Sequence, residues 1–99
     1  MITLKSAHEI ELMRRAGKIT AAARAVARDM VKPGVTTQQI DKAVYKFITE
    51  QGATPSFLHY NGYPASVCVS VNDEIIHGIP GKRVLQEGDI VSVDVGAFI

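Results

Sequence analysis

The order of local patterns restricts the fold of this chain most strongly, because two helical stretches precede a set of short strand-like runs. The first stretch opens with Ser6-Ala7-His8-Glu9, which has the form of a capping box, and Pro33-Gly34 closes it. Thr36-Thr37-Gln38-Gln39 predicts the start of a second helix, with Gly52 as its carboxy-terminal cap. The apolar residues that we expect to face inward are Ile10, Met13, Ile19, Ala23, Val26 and Met30 in the first helix and Ile40, Val44, Phe47 and Ile48 in the second.

After Gly52 the pattern changes to runs of β-branched residues separated by turn signals. Residues 67–71 and 90–95 predict strands, residues 75–77 form a shorter run, and Asn61-Gly62 and residues 86–89 predict turns. The connections are too short for crossover helices, so most strands should pair in an antiparallel manner. The predicted class is therefore α+β, with two amino-terminal helices packed on a mostly antiparallel sheet.

Composition limits the size, partners and location of the protein. The 99 residues predict one domain spanning 1–99, and an apolar content of 46% is typical of a folded chain. The net charge of +1 gives no reason to expect nucleic acid as a partner. The start of the chain lacks the apolar core of a signal peptide, and no apolar run is long enough to cross a membrane. A lone cysteine, Cys68, cannot form an internal disulfide, which favours a cytoplasmic location.

Asp94 is the most informative single residue, because it lies within the apolar run 90–95. Strand alternation places Asp94 on one face with Ile90 and Ser92, and three valines on the other. Burying a carboxylate without a partner is costly. Asp94 therefore either faces solvent or a turn, or it acts as a metal ligand or general base. One carboxylate is not a metal site, since stable sites need three or more protein ligands.

Two further groups of residues have both a structural and a functional interpretation. His77, followed by Gly78-Ile79-Pro80, either caps a turn or serves as a hydrogen-bond partner or proton shuttle for a substrate. Several aromatic residues and the cysteine either cover a sheet edge or line a small apolar pocket suited to a thioether side chain. The members of this second group are Phe57, Tyr60, Tyr63 and Cys68.

The order and spacing of these residues carry more information than each does alone. The segment from Tyr60 to Pro80 reads YNGYPASVCVSVNDEIIHGIP, and IVSVDV with Asp94 follows at residues 90–95. VKPGVTT lies between the helices at residues 31–37. Together these segments resemble the type I methionine aminopeptidase family, and the resemblance covers nearly the whole chain.

The resemblance implies the pita-bread fold, in which two similar α+β halves surround a dinuclear metal site. The 99 residues are similar to the amino-terminal half of that catalytic domain. By the same resemblance, Asp94 is the first of five metal ligands and His77 is a catalytic residue that contacts the scissile peptide group. The implied pocket for the methionine side chain consists of Phe57, Tyr60, Tyr63 and Cys68, and Asn72 is implied at a monovalent-cation site.

The implied activity is removal of the initiator methionine from nascent peptides by a site that holds two divalent ions. Cobalt, manganese, iron, zinc and nickel are not distinguished by such ligands. The second aspartate, the histidine and the two glutamates of the family's ligand set are missing from these residues. We therefore expect the chain alone to be inactive, as a fragment or half-unit that joins the second half of the fold or a second copy of itself.

Two other functions remain open at this point. One is a non-catalytic pita-bread module that binds or scaffolds another molecule. The other is a hydrolase of the same fold with a different substrate, as in proline-directed aminopeptidases or creatinase-like enzymes. The H-G-I-P segment and the slim pocket favour methionine.

Overall fold

Two helices precede four short strands, and the structure, a computed structural model, describes residues 4–58, 62–72 and 78–99. Helix α1 spans Ala7–Met30 and helix α2 spans Thr37–Glu50. The strands are β1 at Thr54–Pro55, β2 at Val67–Val71, β3 at Val91–Val95 and β4 at Ala97–Phe98. This order confirms the predicted α+β class.

Both predicted capping boxes are present. At α1 the Glu9 amide donates to the Ser6 hydroxyl over 3.1 Å, and the Ser6 amide donates to the Glu9 carboxylate over 2.9 Å. Thr36 and Gln39 exchange the same two bonds at the start of α2, at 3.1 and 2.8 Å. Gly52 follows α2 with a φ of +77°, the left-handed conformation expected of a carboxy-terminal cap. The ends of the helices are therefore determined locally, as the sequence predicts.

The strands form two antiparallel pairs. In the first, Val67 of β2 lies opposite Val95 of β3, and Val71 lies opposite Val91. In the second, β1 pairs with β4. The antiparallel orientation confirms the prediction, but sequence patterns do not reveal the second pair, because two-residue strands have no alternation to detect. The predicted run at residues 75–77 lies outside the described residues.

The core lies between the helices and one face of the β2–β3 pair. Every valine of the two strands packs on this face, and those of β2 are at most 1% exposed. Helix α2 contributes Ile40, Val44 and Ile48, all fully buried. Helix α1 contributes Ala23 and Ala27, whose small side chains let the helix approach closely.

The apolar stripe of α1 is buried over only part of its length, which differs from the prediction. Ile10 and Met13 are 47% and 56% exposed. The 24 residues of α1 extend about 36 Å, whereas residues 91–98, over which β3 and β4 run, extend about 26 Å. The helix is longer than the strands on which it packs, so its first turns are left uncovered.

In the described part of the chain, neither helix has the length and apolar content that a membrane span requires.

We expect Ile48→Val to lower the free energy of unfolding by about 1 kcal/mol, because it removes one methylene from a close-packed core. Ile90→Val is the matched control, since Ile90 is 73% exposed and its change should stay within about 0.5 kcal/mol. Urea denaturation followed by circular dichroism measures both values. Equal losses in the two variants would contradict the location of the core.

Candidate functional site

The face of the β2–β3 pair that points away from the helices carries two of the candidate functional residues, Cys68 and Asp94. Cys68 pairs with Asp94 and Ser70 pairs with Ser92, so these four side chains share one face, which we call the outer face. Asp94 is exposed, whereas Cys68 and Ser70 are buried. The predicted division of the strand into a valine face and an Asp94 face is therefore confirmed.

Two of the predicted pocket aromatics lie together near Cys68. The ring centroids of Phe57 and Tyr63 are 6.0 Å apart at an interplanar angle of 57°. The Tyr63 hydroxyl donates to the Val67 carbonyl over 2.9 Å, and burial raises the pKa of this hydroxyl, with a further contribution from Cys68. Tyr63 therefore remains a protonated donor, held against the start of β2. Tyr60, the remaining predicted pocket residue, lies outside the described residues.

Gly78 lies against the edge of β2 that faces away from β3. Its carbonyl accepts from the Val69 amide over 2.8 Å, and its amide donates to the Ser70 hydroxyl over 3.1 Å. A Cβ on Gly78 would overlap the Val69 carbonyl oxygen and lie 2.8 Å from the Ser70 Cα. Close backbone approach therefore requires glycine at this position. His77, the residue before Gly78, lies outside the described residues.

Asn72 links the end of β2 to the turn that precedes β3. Its φ is 54°, its side-chain amide donates to the Asp89 carboxylate over 2.9 Å, and its side-chain oxygen accepts from the Ile90 amide over 2.9 Å. The bond from Asn72, aided by the Gln86 amide, lowers the pKa of Asp89. These contacts give Asn72 a structural role, and its place at a monovalent-cation site stays a prediction.

Asp41 of α2 is a residue that the sequence analysis does not identify. Its Oδ1 accepts from the backbone amides of Ser66 and Val67, at 2.7 and 3.1 Å. Burial raises the pKa of this carboxyl, and the two bonds from the amides oppose that shift. Its position directly after the buried Ile40 is the one available signal, since it places Asp41 at the margin of the inward face. Asp41 thereby joins α2 to the start of β2.

Among the described residues, no group of three or more His, Cys, Asp or Glu side chains could hold a metal ion. Asp94 is exposed on the outer face, and a carboxylate there fits a hard divalent cation as one oxygen ligand. The described residues therefore do not form a complete metal site, and the role of Asp94 as a ligand stays a prediction.

One side of β3 and the neighbouring surface of α1 are open. Within the described residues β3 has a hydrogen-bonded partner on one side only, which is β2. Two grooves of about 550 and 480 Å³ run along α1 and share Ala21 and Arg24. Val91 and Val93 line the first groove, and Phe98 lines the second.

Comparison with known proteins identifies close relatives. A model of the metallopeptidase family M24 matches residues 11–99. The chain is 50% identical over 97 residues to methionine aminopeptidase 1 of Bacillus subtilis, covering 98% of this chain and 39% of the relative. The methionine aminopeptidase structure from Thermotoga maritima matches with a TM-score of 0.95 and 44% identity, over 99% of this chain and 40% of that one. The structure of Xaa-Pro dipeptidase from Bacillus anthracis matches with a TM-score of 0.79 and 27% sequence identity, over 95% of this chain and 25% of that one.

These matches confirm the predicted resemblance to methionine aminopeptidases and the predicted pita-bread fold. The chain spans about two fifths of the length of the methionine aminopeptidases that it matches. It corresponds to their amino-terminal part.

The two amide bonds to Asp41 predict opposite effects for two substitutions. Asp41→Ala leaves the buried amides of Ser66 and Val67 without their acceptor, so the free energy of unfolding should fall by about 1–3 kcal/mol. Asp41→Asn keeps an oxygen in place and removes the charge, so its stability near neutral pH should equal or exceed that of the parent. Urea denaturation measures both.

The pH dependence has a definite sign. Because the folded state raises the pKa of Asp41 above its ordinary value of 3.8, folding favours the protonated form. This contribution to stability is complete below pH 3.8 and is lost as the pH rises through the folded-state pKa. The free energy of unfolding of the parent minus that of Asp41→Asn should therefore decrease over this range. A difference that stays constant would show that the folded state does not raise the pKa of Asp41.

Proposed function

Because the chain belongs to the metallopeptidase family M24, we propose that it forms the amino-terminal part of a metal-dependent methionine aminopeptidase. The observation that carries this proposal is the pairing of Cys68 with Asp94 on the outer face. Paired residues of antiparallel strands have Cβ atoms about 5 Å apart. A substrate side chain that contacts Cys68 would therefore leave its own backbone close to a cation held by Asp94.

Asp94 is the residue that we assign to metal binding. It lies on a paired strand, and its carboxylate is an exposed oxygen donor. Bound divalent ions would lower the pKa of water and polarise the scissile carbonyl. Cobalt, manganese, iron, zinc and nickel remain equal candidates, since such ligands accept several metals.

We assign the methionine side chain to a wall formed by Phe57, Tyr63 and Cys68, with Tyr60 as a further member. A thioether packs favourably against aromatic rings and adapts to narrow spaces. Because the Tyr63 hydroxyl is bound to the Val67 carbonyl, the wall offers the aromatic ring rather than the hydroxyl to a substrate. His77 is assigned to contact with the scissile peptide group, on the strength of the H-G-I-P segment.

The rest of the fold would pack against the open edge of β3 and the grooves along α1. A strand added to β3 would satisfy its unpaired backbone groups, and apolar side chains would fill the grooves. The matched relatives contain about three fifths of their length beyond the matched part, and we propose that the missing ligands lie there. A second copy of this chain, joined through the same edge, is the alternative occupant.

The non-catalytic module is the competing function, and the absence of a three-ligand group among the described residues favours it for these residues alone. A proline-directed activity is less well supported, because identity to the Xaa-Pro dipeptidase is 27% against 50% for the methionine aminopeptidase of Bacillus subtilis. We also propose a cytoplasmic location, since Cys68 is a buried free thiol.

A chimera tests the enzyme proposal. The 99 residues replace the matching segment of Bacillus subtilis methionine aminopeptidase 1, and the chimera is assayed with cobalt or manganese on a Met-Ala peptide. We expect the chimera to release methionine. We expect Asp94→Asn to lower kcat/KM by more than about 100-fold, because substituting a residue that only supports a metal ligand already lowers metal affinity or activity by about 10- to 100-fold.

Ser92→Ala is the matched control, since Ser92 lies in the next residue pair on the same face and has no assigned role. Its kcat/KM should stay within about twofold of the unsubstituted chimera. A folded but inactive chimera, with the Bacillus enzyme active in the same assay, would favour the non-catalytic module.

The chain alone should show no release of methionine with either metal, because the residues that the structure describes do not include a complete ligand set. The carboxy-terminal part of the Bacillus relative, added as a separate chain, should bind through the β3 edge and produce activity.

Light scattering of the chain alone distinguishes the two proposed partners at the β3 edge, which are the rest of the fold and a second copy of this chain. A stable dimer supports self-association, whereas a monomer that binds the added part supports the two-part fold.

A further inference from the structure

The edge of β2 that faces away from β3 is held by residues outside the β2–β3 pair. In an antiparallel strand the amide and carbonyl of one residue point to the same side. On this edge the Val67 amide donates to Asp41, the Val67 carbonyl accepts from Tyr63, and the Val69 amide donates to Gly78. The backbone of β2 is thus fixed on both sides, by β3 on one and by these three residues on the other.

Gly78 makes two hydrogen bonds to β2. Besides the backbone bond to Val69, its amide donates to the hydroxyl of Ser70, and both residues are buried. Ser70 is only 4% exposed, and it lies in a strand. At such a buried strand position an apolar side chain such as valine or alanine would pack as well as serine does. A buried amide without an acceptor is costly, so a hydroxyl at residue 70 meets a requirement that an apolar side chain would not.

Gly78, which Ser70 contacts, directly follows His77 in the sequence. Ser70 itself lies on the same face as Cys68 and Asp94. We propose that Ser70 is a positioning residue for the active site: its hydroxyl holds Gly78, and with it the segment that follows His77, at the edge of β2. The inference rests on the proposed methionine aminopeptidase function. Ser70 touches neither substrate nor metal in this role and acts through the backbone of Gly78.

The test uses Ser70→Ala in the chimera, with Ser92→Ala as the matched control. Ser92 lies directly opposite Ser70 on the same face, and it is exposed. We expect kcat/KM to fall by about 10- to 100-fold in Ser70→Ala, because small displacements of catalytic groups cost this much. We expect Ser92→Ala to stay within about twofold of the parent. Ser70→Thr keeps the hydroxyl and should recover most of the loss.

Two controls separate positioning from stability. Ile48→Val weakens the core without touching Gly78, so at a temperature where both proteins are folded its kcat/KM should match the parent. Hydrogen exchange of the Gly78 amide, measured by NMR on the 99-residue chain, should accelerate by about tenfold or more in Ser70→Ala and not in Ser92→Ala. If Ser70→Ala does not fold, Ser70→Cys keeps the size and weakens the acceptor, and the same differences are expected.

The outcomes distinguish failure of the Ser70 inference from failure of the proposed function. Unchanged kcat/KM in a folded Ser70→Ala chimera overturns the inference, and so does an equal loss in Ile48→Val. An inactive parent chimera counts against the proposed function instead. The Gly78 exchange rate then still tests the Ser70 contact, and equal exchange in Ser70→Ala and the parent overturns it.

Discussion

The pairing of β2 with β3 determines where the described candidate functional groups lie. Six valines alternate along the two strands and pack toward the helices. Fully burying one valine contributes about 1.5–3 kcal/mol, so the three buried valines of β2 together contribute roughly 5–9 kcal/mol, and the half-buried valines of β3 contribute less. A register shift by one residue would turn all of a strand's valines to solvent. The valine face therefore fixes the register, and the register places Asp94 opposite Cys68.

The outer face depends in turn on the amino-terminal end of α2. Asp41 holds the start of β2, while the Thr37 hydroxyl and backbone bind the segment after Gly78 through Gly81 and Arg83. The Gly81 amide donates to the Thr37 hydroxyl over 2.8 Å, and the Thr37 amide donates to the Arg83 carbonyl over 3.0 Å. One helix end therefore organises the strand that bears Cys68 and the loop that follows the H-G-I-P segment.

Local chemistry explains which features the sequence predicts. Capping boxes need residues three positions apart, and the alternation that orients Asp94 needs five adjacent residues, so both can be read directly. Asp41 could not be identified in this way, because its partners at residues 66 and 67 are 25 and 26 positions distant. The exposure of Ile10 and Met13 also depends on the length of strands elsewhere in the chain. Tyr60 and His77 lie outside the described residues, so their assignment rests on resemblance alone.

The two aspartates of this region illustrate how the chain separates stability from the proposed chemistry. Asp41 is half-buried and accepts hydrogen bonds from two backbone amides. Its oxygen therefore stabilises the fold, whereas burial of its negative charge destabilises it. Asp94 is exposed on the opposite side of the valine layer, where its charge stays hydrated and costs the fold little. In small metal-dependent domains the metal supplies the free energy of folding. Here Asp94 lies outside the valine core, so the metal-binding role proposed for this carboxylate is not required for packing of that core.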